Sequence, residues 1–162
     1  LVKNPPALQA HYEKLAENLM RAAKRSPANR RLLFPALVAR TVALKCNLRR
    51  ELALAYRSGN HTRLWQLTKD IKALGKAVVK LRDEHCALWL SLYKPFGLEV
   101  LEGRYGALQA RLDGMINRIN DYLKGRARDI PELAAKLEPL VSAPAGDCYF
   151  NHARAATPSF IK

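Results

Sequence analysis

Two adjacent carboxylates, Asp83 and Glu84, four histidines and three cysteines are the residues of this chain best equipped for chemistry. A carboxylate pair can cleave a glycosidic bond when its two members face the bond from different sides. Neighbouring residues on a helix point about 100° apart, so Asp83 and Glu84 cannot flank one bond if a helix carries them. They read as charges on a solvated helix face. His11, His61, His85 and His152 lack the i, i+4 spacing of a helical metal pair. His85 falls on an apolar seam, where a hydrogen-bonded core histidine is expected. Cys46, Cys86 and Cys148 are widely separated and form no CxxC pair, which argues against a zinc knuckle or a disulfide framework and for buried thiols. Asn60-His61-Thr62 matches a glycosylation triplet, but an Asn just ahead of a helical pattern reads more simply as an N-cap. With no Gly-rich phosphate loop and no nucleophile elbow, the expectation is a chain without catalytic residues, metal or cofactor of its own.

The basic residues offer a different chemistry. Lys and Arg number 28 against 14 Asp and Glu, a formal charge of +14, which favours nucleic acid, an anionic surface or an acidic partner. Lys69, Lys72, Lys76 and Lys80 form a stripe on the side of their helix opposite a leucine seam, and Arg30-Arg31 and Arg49-Arg50 add charge. A nucleic-acid binder would normally add stacking aromatics or a reading helix. Trp65 and Trp89 have apolar neighbours and read as packing residues, so a solvated surface is the leading reading and nucleic-acid binding the alternative.

Helical spacing must position all of these groups. Leu8, Tyr12, Leu15, Leu19 and Ala22 form the stripe of a first helix after Pro5-Pro6, ended by Ser26-Pro27-Ala28-Asn29. A second helix is expected from Asn29 to Arg57, its inner face being Leu33, Leu37, Thr41, Leu44, Leu48, Leu52 and Ala55. Leu64, Leu67, Ile71, Leu74, Val78, Leu81, His85, Leu88 and Leu92 mark a third, with alternating spacings of 3 and 4 throughout. The rhythm resumes from Leu98 through Leu101, Tyr105, Leu108, Leu112, Met115, Ile119 and Leu123 until Gly125. Gly103 and Gly106 could admit a close backbone there. A short fifth helix runs from Pro131 to Leu137, closed by Pro139. The fold class is all-α: an antiparallel bundle of four long helices plus a short one over residues 1–139, and an irregular tail over 140–162. Tyr149, Phe150 and Phe160 suggest that the tail docks on the bundle or on another domain. Hydrophobic residues make up 49%, enough for a core without staples, and no apolar run suffices to span a membrane.

The break between the third and fourth long helices, Lys94-Pro95-Phe96-Gly97-Leu98-Glu99-Val100, carries the most specific signal. Together with Leu88-Trp89 before it and Arg104-Tyr105-Gly106-Ala107-Leu108 and Arg111-Leu112 after it, this stretch resembles the C-terminal helical domain of bacterial β-N-acetylhexosaminidases of glycoside hydrolase family twenty. Tyr93 stands where that family usually has Asn, and Ala107 where a second Gly is usual. The likeness extends from Leu37–Tyr56 upstream to Thr157-Pro158-Ser159.

The resemblance implies a non-catalytic accessory domain of a larger hydrolase, with a bacterial cytoplasmic setting favoured. Family members carry a TIM barrel in which an Asp orients the substrate's acetamido group and a Glu is the general acid/base. Asp83-Glu84 does not take that role, because the family pair sits at a barrel strand end. The expected partner is a catalytic TIM-barrel domain of the same parent chain, or a second subunit, braced by the bundle. Lys94, Glu99 and Arg104 would supply polar contacts and Phe96 the apolar anchor. Alternatively, Phe96 caps the bundle's own core and the charges pair locally. A dimerising helical module is a third reading.

Overall fold

A computed structural model describes residues 5–134. Cys148, His152, the expected helical turn through Leu137 and the whole of the tail, with Tyr149, Phe150 and Phe160, lie outside the described residues. What is described is all-α: α1 (Pro5–Arg25), a single 3-10 turn (Arg30–Leu32), α2 (Leu33–Lys45), α3 (Leu48–Arg57), α4 (His61–Leu92), α5 (Leu98–Leu123) and α6 (Pro131–Ala134).

The helix expected from Asn29 to Arg57 is bent into α2 and α3. Cys46 and Asn47 keep right-handed dihedrals, and the Cys46 N–H still donates to the Val42 carbonyl at 2.9 Å. Asn47 makes no side-chain cap to α3; its amide donates instead to Gln9 Oε1 of α1 at 3.1 Å. Asn is a weak helix former with a preference for local alternatives, and here a tertiary hydrogen bond claims its side chain at the bend. The apolar rhythm Leu44, Leu48, Leu52 runs through this point, so periodicity alone does not mark it.

α2 is buried on two faces, one of Ala36, Ala39 and Ala43 and one of Leu37 and Thr41, because it lies between α1 and α4 and packs on both. Thr41 tolerates burial by donating its hydroxyl to the Leu37 carbonyl at 2.8 Å. The stripe expected on α1 is half-buried except at Leu15, which is 37% exposed, and Ala16 beside it is buried. Small side chains on facing helices let the two axes approach, and that closeness, not leucine volume, sets the face of α1.

The central element is α4. Leu64, Leu67, Ile71, Leu74, Val78 and Leu81 are buried in sequence, each removal from water contributing about 1.5–3 kcal/mol. Asn60 Oδ1 caps its start by accepting from the Arg63 N–H at 2.9 Å, as the sequence reading of this Asn anticipates. α2, α3 and α5 all pack on α4, while α6 packs on α3. Gly75 lies against the Gln109 side chain of α5: a Cβ there would stand 3.1 Å from Gln109 Nε2. Gly103 and Gly106 admit no close neighbour within the described structure, since a Cβ at either meets nothing within 4 Å. The far end of the core is locked by Tyr56, whose hydroxyl accepts from the Ile130 N–H at 3.1 Å and whose ring lies 5.2 Å from that of Tyr122.

Candidate functional site

The KPFG corner joins α4 to α5 by a short and heavily constrained turn. Pro95 biases Lys94 away from helical geometry, and α4 ends at Tyr93 in extended backbone, φ −131° and ψ 166°. The Trp89 indole N–H donates to the Lys94 carbonyl at 3.0 Å, so the aromatic that precedes the break also closes it. Gly97 sits at φ +88°, in the region L side chains avoid, and its N–H donates to Glu99 Oε2 at 3.0 Å. Leu98 N–H donates to the Pro95 carbonyl at 3.0 Å, which starts α5. Gly97→Ala is expected to cost about 1–2 kcal/mol by the left-handed penalty alone, measurable as a lowered midpoint in urea; a neutral result would mean that the turn relaxes.

Beneath the corner lies a small aromatic nest. His85 Nδ1 is 2.9 Å from the Tyr105 hydroxyl, the Phe34 ring is 4.5 Å from the imidazole, and the Trp89 ring lies 5.0 Å from that of Tyr93, tilted by 48°. His85 is thus a hydrogen-bonded packing residue, as its place on the seam implied. Burial pushes its pKa below the ordinary 6.5 and raises that of Tyr105. A histidine with a depressed folded pKa binds its proton more readily when unfolded, so its contribution to stability is complete above about pH 6.5 and declines as the pH falls through that value. Urea midpoints measured from pH 8 down to about pH 5.5 are expected to fall, and the fall should be shallower in His85→Gln; equal slopes would assign the effect elsewhere.

Over this nest the surface is apolar and uncovered. Phe96 is 90% exposed, Tyr93 62%, Leu90 51% and Leu92 46%. Phe96 therefore does not cap the bundle's own core. The end of α4 and its cap, Ala87-Leu88-Trp89-Leu90-Ser91-Leu92-Tyr93, carry apolar side chains on more than one face, with Ser91 the polar exception. Leu90 and Tyr93 are members of this patch that the seam reading passes over. The signal was present in the leucines at 88, 90 and 92, whose spacing of two cannot lie on one helical face.

Of the residues expected at the corner, Lys94, Phe96 and Glu99 lie together and exposed, and Glu99 serves locally on Gly97. Arg104, also exposed, stands farther along α5, about 7.5 Å from Glu99 by helical rise. The lysine stripe is exposed throughout but divided: Lys72 and Lys76 share a groove with Asp113 of α5, and Lys80 another with Glu13 and Glu17 of α1. Trp65, expected to pack, is 52% exposed with Lys69 Nζ 4.2 Å above its ring, a cation–π contact.

Asp83 is exposed and paired with Arg82 at 2.7 Å, and Glu84 is its neighbour on α4, so the two diverge as helix geometry requires. Cys46 and Cys86 are free thiols, both half-buried, and burial pushes the Cys86 thiol pKa up. Among the described residues no group of three or more His, Cys, Asp or Glu could hold a metal ion, and no helix is long and apolar enough to cross a membrane.

A search of the curated proteins returns no match. The family model described as the glycoside hydrolase 20C C-terminal domain matches residues 3–149, which covers every helix described above and the KPFG corner within them. A C-terminal domain of this kind is associated with a catalytic domain. The helical architecture, the corner and the family match agree: this chain belongs to the glycoside hydrolase 20C C-terminal domain family.

Proposed function

We propose that the chain is a non-catalytic accessory domain that braces the TIM-barrel catalytic domain of a β-N-acetylhexosaminidase, docking through the KPFG corner. The observation that carries this reading is the apolar crown of Leu90, Leu92, Tyr93 and Phe96 on a turn held by Gly97 and the Trp89 hydrogen bond. Exposed apolar side chains around one helix end mark interaction surfaces, and a rigid turn loses little entropy when it binds. Lys94 and Arg104 stand at the margin, where charges tune partner choice more than affinity.

The test is association. This chain and the barrel domain encoded with it, expressed separately, should form a complex by calorimetry, and the barrel should melt at a higher temperature in the complex. Absence of any complex would remove the bracing role. A second copy of this chain is the competing occupant, and it would show as a doubled mass of the isolated domain in solution.

One observation favours a different class of partner. Lys69, Lys72, Lys76 and Lys80 are exposed on one helix, beside an exposed Trp65 that could stack on a base. Binding to oligonucleotides would then weaken steeply with salt, and no binding at low salt would eliminate it. The carboxylates sharing both lysine grooves make this the second reading.

A further inference from the structure

Away from the corner and from the lysine stripe, α3, α5 and α6 meet around a cavity of about 440 Å³, a size within the range of small-molecule sites. Three guanidiniums line it: Arg49 of α3, and Arg111 and Arg118 of α5. The last two stand close to two turns apart on one face of the helix, about 10.5 Å by rise. One carboxylate, Glu132 of α6, lines the same cavity. It forms an ion pair with Arg118, and its Oε2 is shielded from solvent, so its charge is committed to the protein. Arg49 donates to the Glu132 carbonyl at 3.4 Å, which leaves most of its five N–H donors. Arg111 has no ion pair among the described residues. Met115 and Gly114 also line the cavity, and a Cβ at Gly114 would meet nothing within 4 Å, so no described side chain fills the space above it.

We propose that this cavity binds a small phosphate monoester, its phosphoryl group held between Arg49 and Arg111 and its organic part lying over Gly114 and Met115. Like charges brought to one cavity by helices distant in sequence repel each other, and a dianion between them removes that cost. The guanidinium fork makes paired N–H···O bonds to phosphoryl oxygens, and a phosphate monoester offers three such oxygens with nearly two charges at neutral pH. A monocarboxylate would answer only one of the two cations. The concave shape selects a small molecule over a polymer. The lysine stripe that an extended polyanion would follow shares its grooves with Asp113, Glu13 and Glu17, whereas the single carboxylate here is already paired. The site is a property of the domain itself and stands or falls independently of the docking corner.

The experiment is calorimetric titration of the 162-residue chain with phenyl phosphate, in about 0.1 M salt so that diffuse attraction is screened. Saturable binding is expected, weakened about tenfold or more by Arg111→Gln and by Arg49→Gln, the loss of a charge-assisted contact. Arg111→Lys keeps the charge without the fork and should fall between wild type and Arg111→Gln. Lys72→Gln/Lys76→Gln removes two cations from a different groove and should leave binding unchanged. Succinate, whose two charges sit on separate carboxylates, should bind about tenfold more weakly than phenyl phosphate. All four side chains are exposed, so the variants should melt as wild type does, and their Tm values separate a lost contact from a lost fold. Absence of saturable binding would overturn the proposal. So would equal losses in the lysine and arginine variants, or succinate binding as tightly as phenyl phosphate.

Discussion

Ile119→Ala is expected to destabilise the domain by about 2–5 kcal/mol, the cost of deleting a buried aliphatic side chain and leaving a cavity. Ile119 has 0% exposure and is the only fully buried residue in α5. It enters the cluster formed by Leu64, Leu67, Ile130 and Leu133, with Tyr56 and Tyr122 packed against it. The helix that carries it has α4 as its one extensive helical neighbour among the described elements, so no second interface compensates. A cavity at this position therefore loosens α5 as a unit, and its N-terminal half, where no apolar side chain is fully buried, should follow. For a chain of this length each kcal/mol lowers Tm by about 2–4 °C, and denaturant melts of Ile119→Ala beside Leu101→Ala make the comparison. If Ile119→Ala cost less than Leu101→Ala, α5 would be anchored at its other end and this account of the core would fail.

The same contrast shows what the sequence could and could not convey. Along α4 the alternating spacing of 3 and 4 identifies both the helix and its inner face, and burial follows it residue by residue as far as Leu81. Beyond that, His85 and Leu88 are half-buried and Leu92 is 46% exposed, although the spacing does not change. Periodicity records which face of a helix is apolar; it does not record how far a neighbour extends along that face. The break at Asn47 escapes it for a related reason, since the leucine repeat continues through a residue whose side chain bonds across to Gln9. On α1 the expected stripe is half-buried except at Leu15, and weighing leucine above alanine passes over Ala16, which is buried where α1 packs on the alanine-rich α2.

At the corner, the turn itself is legible. A Pro followed two residues later by Gly predicts a reversal, and Gly97 at φ +88° meets that demand. The flanking residues acquire a role only in three dimensions: Trp89 closes the turn on the Lys94 carbonyl, and Glu99 takes the Gly97 N–H. The exposure of Phe96 was one of two open alternatives, because an aromatic at a helix junction serves equally as a lid on its own core or as an anchor on another. The exposed placement of the ring removes the lid reading; the anchor on another domain is the proposal made above.

That placement leads to the second large expected effect. Phe96→Asp should weaken binding to the catalytic domain by about 2–4 kcal/mol, roughly thirtyfold to a thousandfold, the range for a central aromatic anchor. The isolated domain should hardly notice, because a side chain 90% exposed contributes little to folding and surface substitutions usually stay within about 0.5 kcal/mol. Leu54→Asp is the control: Leu54 is 54% exposed but lies on α3 near the start of α4, and α4 with its 32 residues is about 48 Å long. Calorimetric titration of the two variants separates a docking corner from general stickiness. A selective loss in Phe96→Asp, with an unchanged Tm for the domain alone, is the expected result. Equal losses would mean that any exposed apolar residue serves, and no loss in either would move the interface away from the KPFG corner altogether.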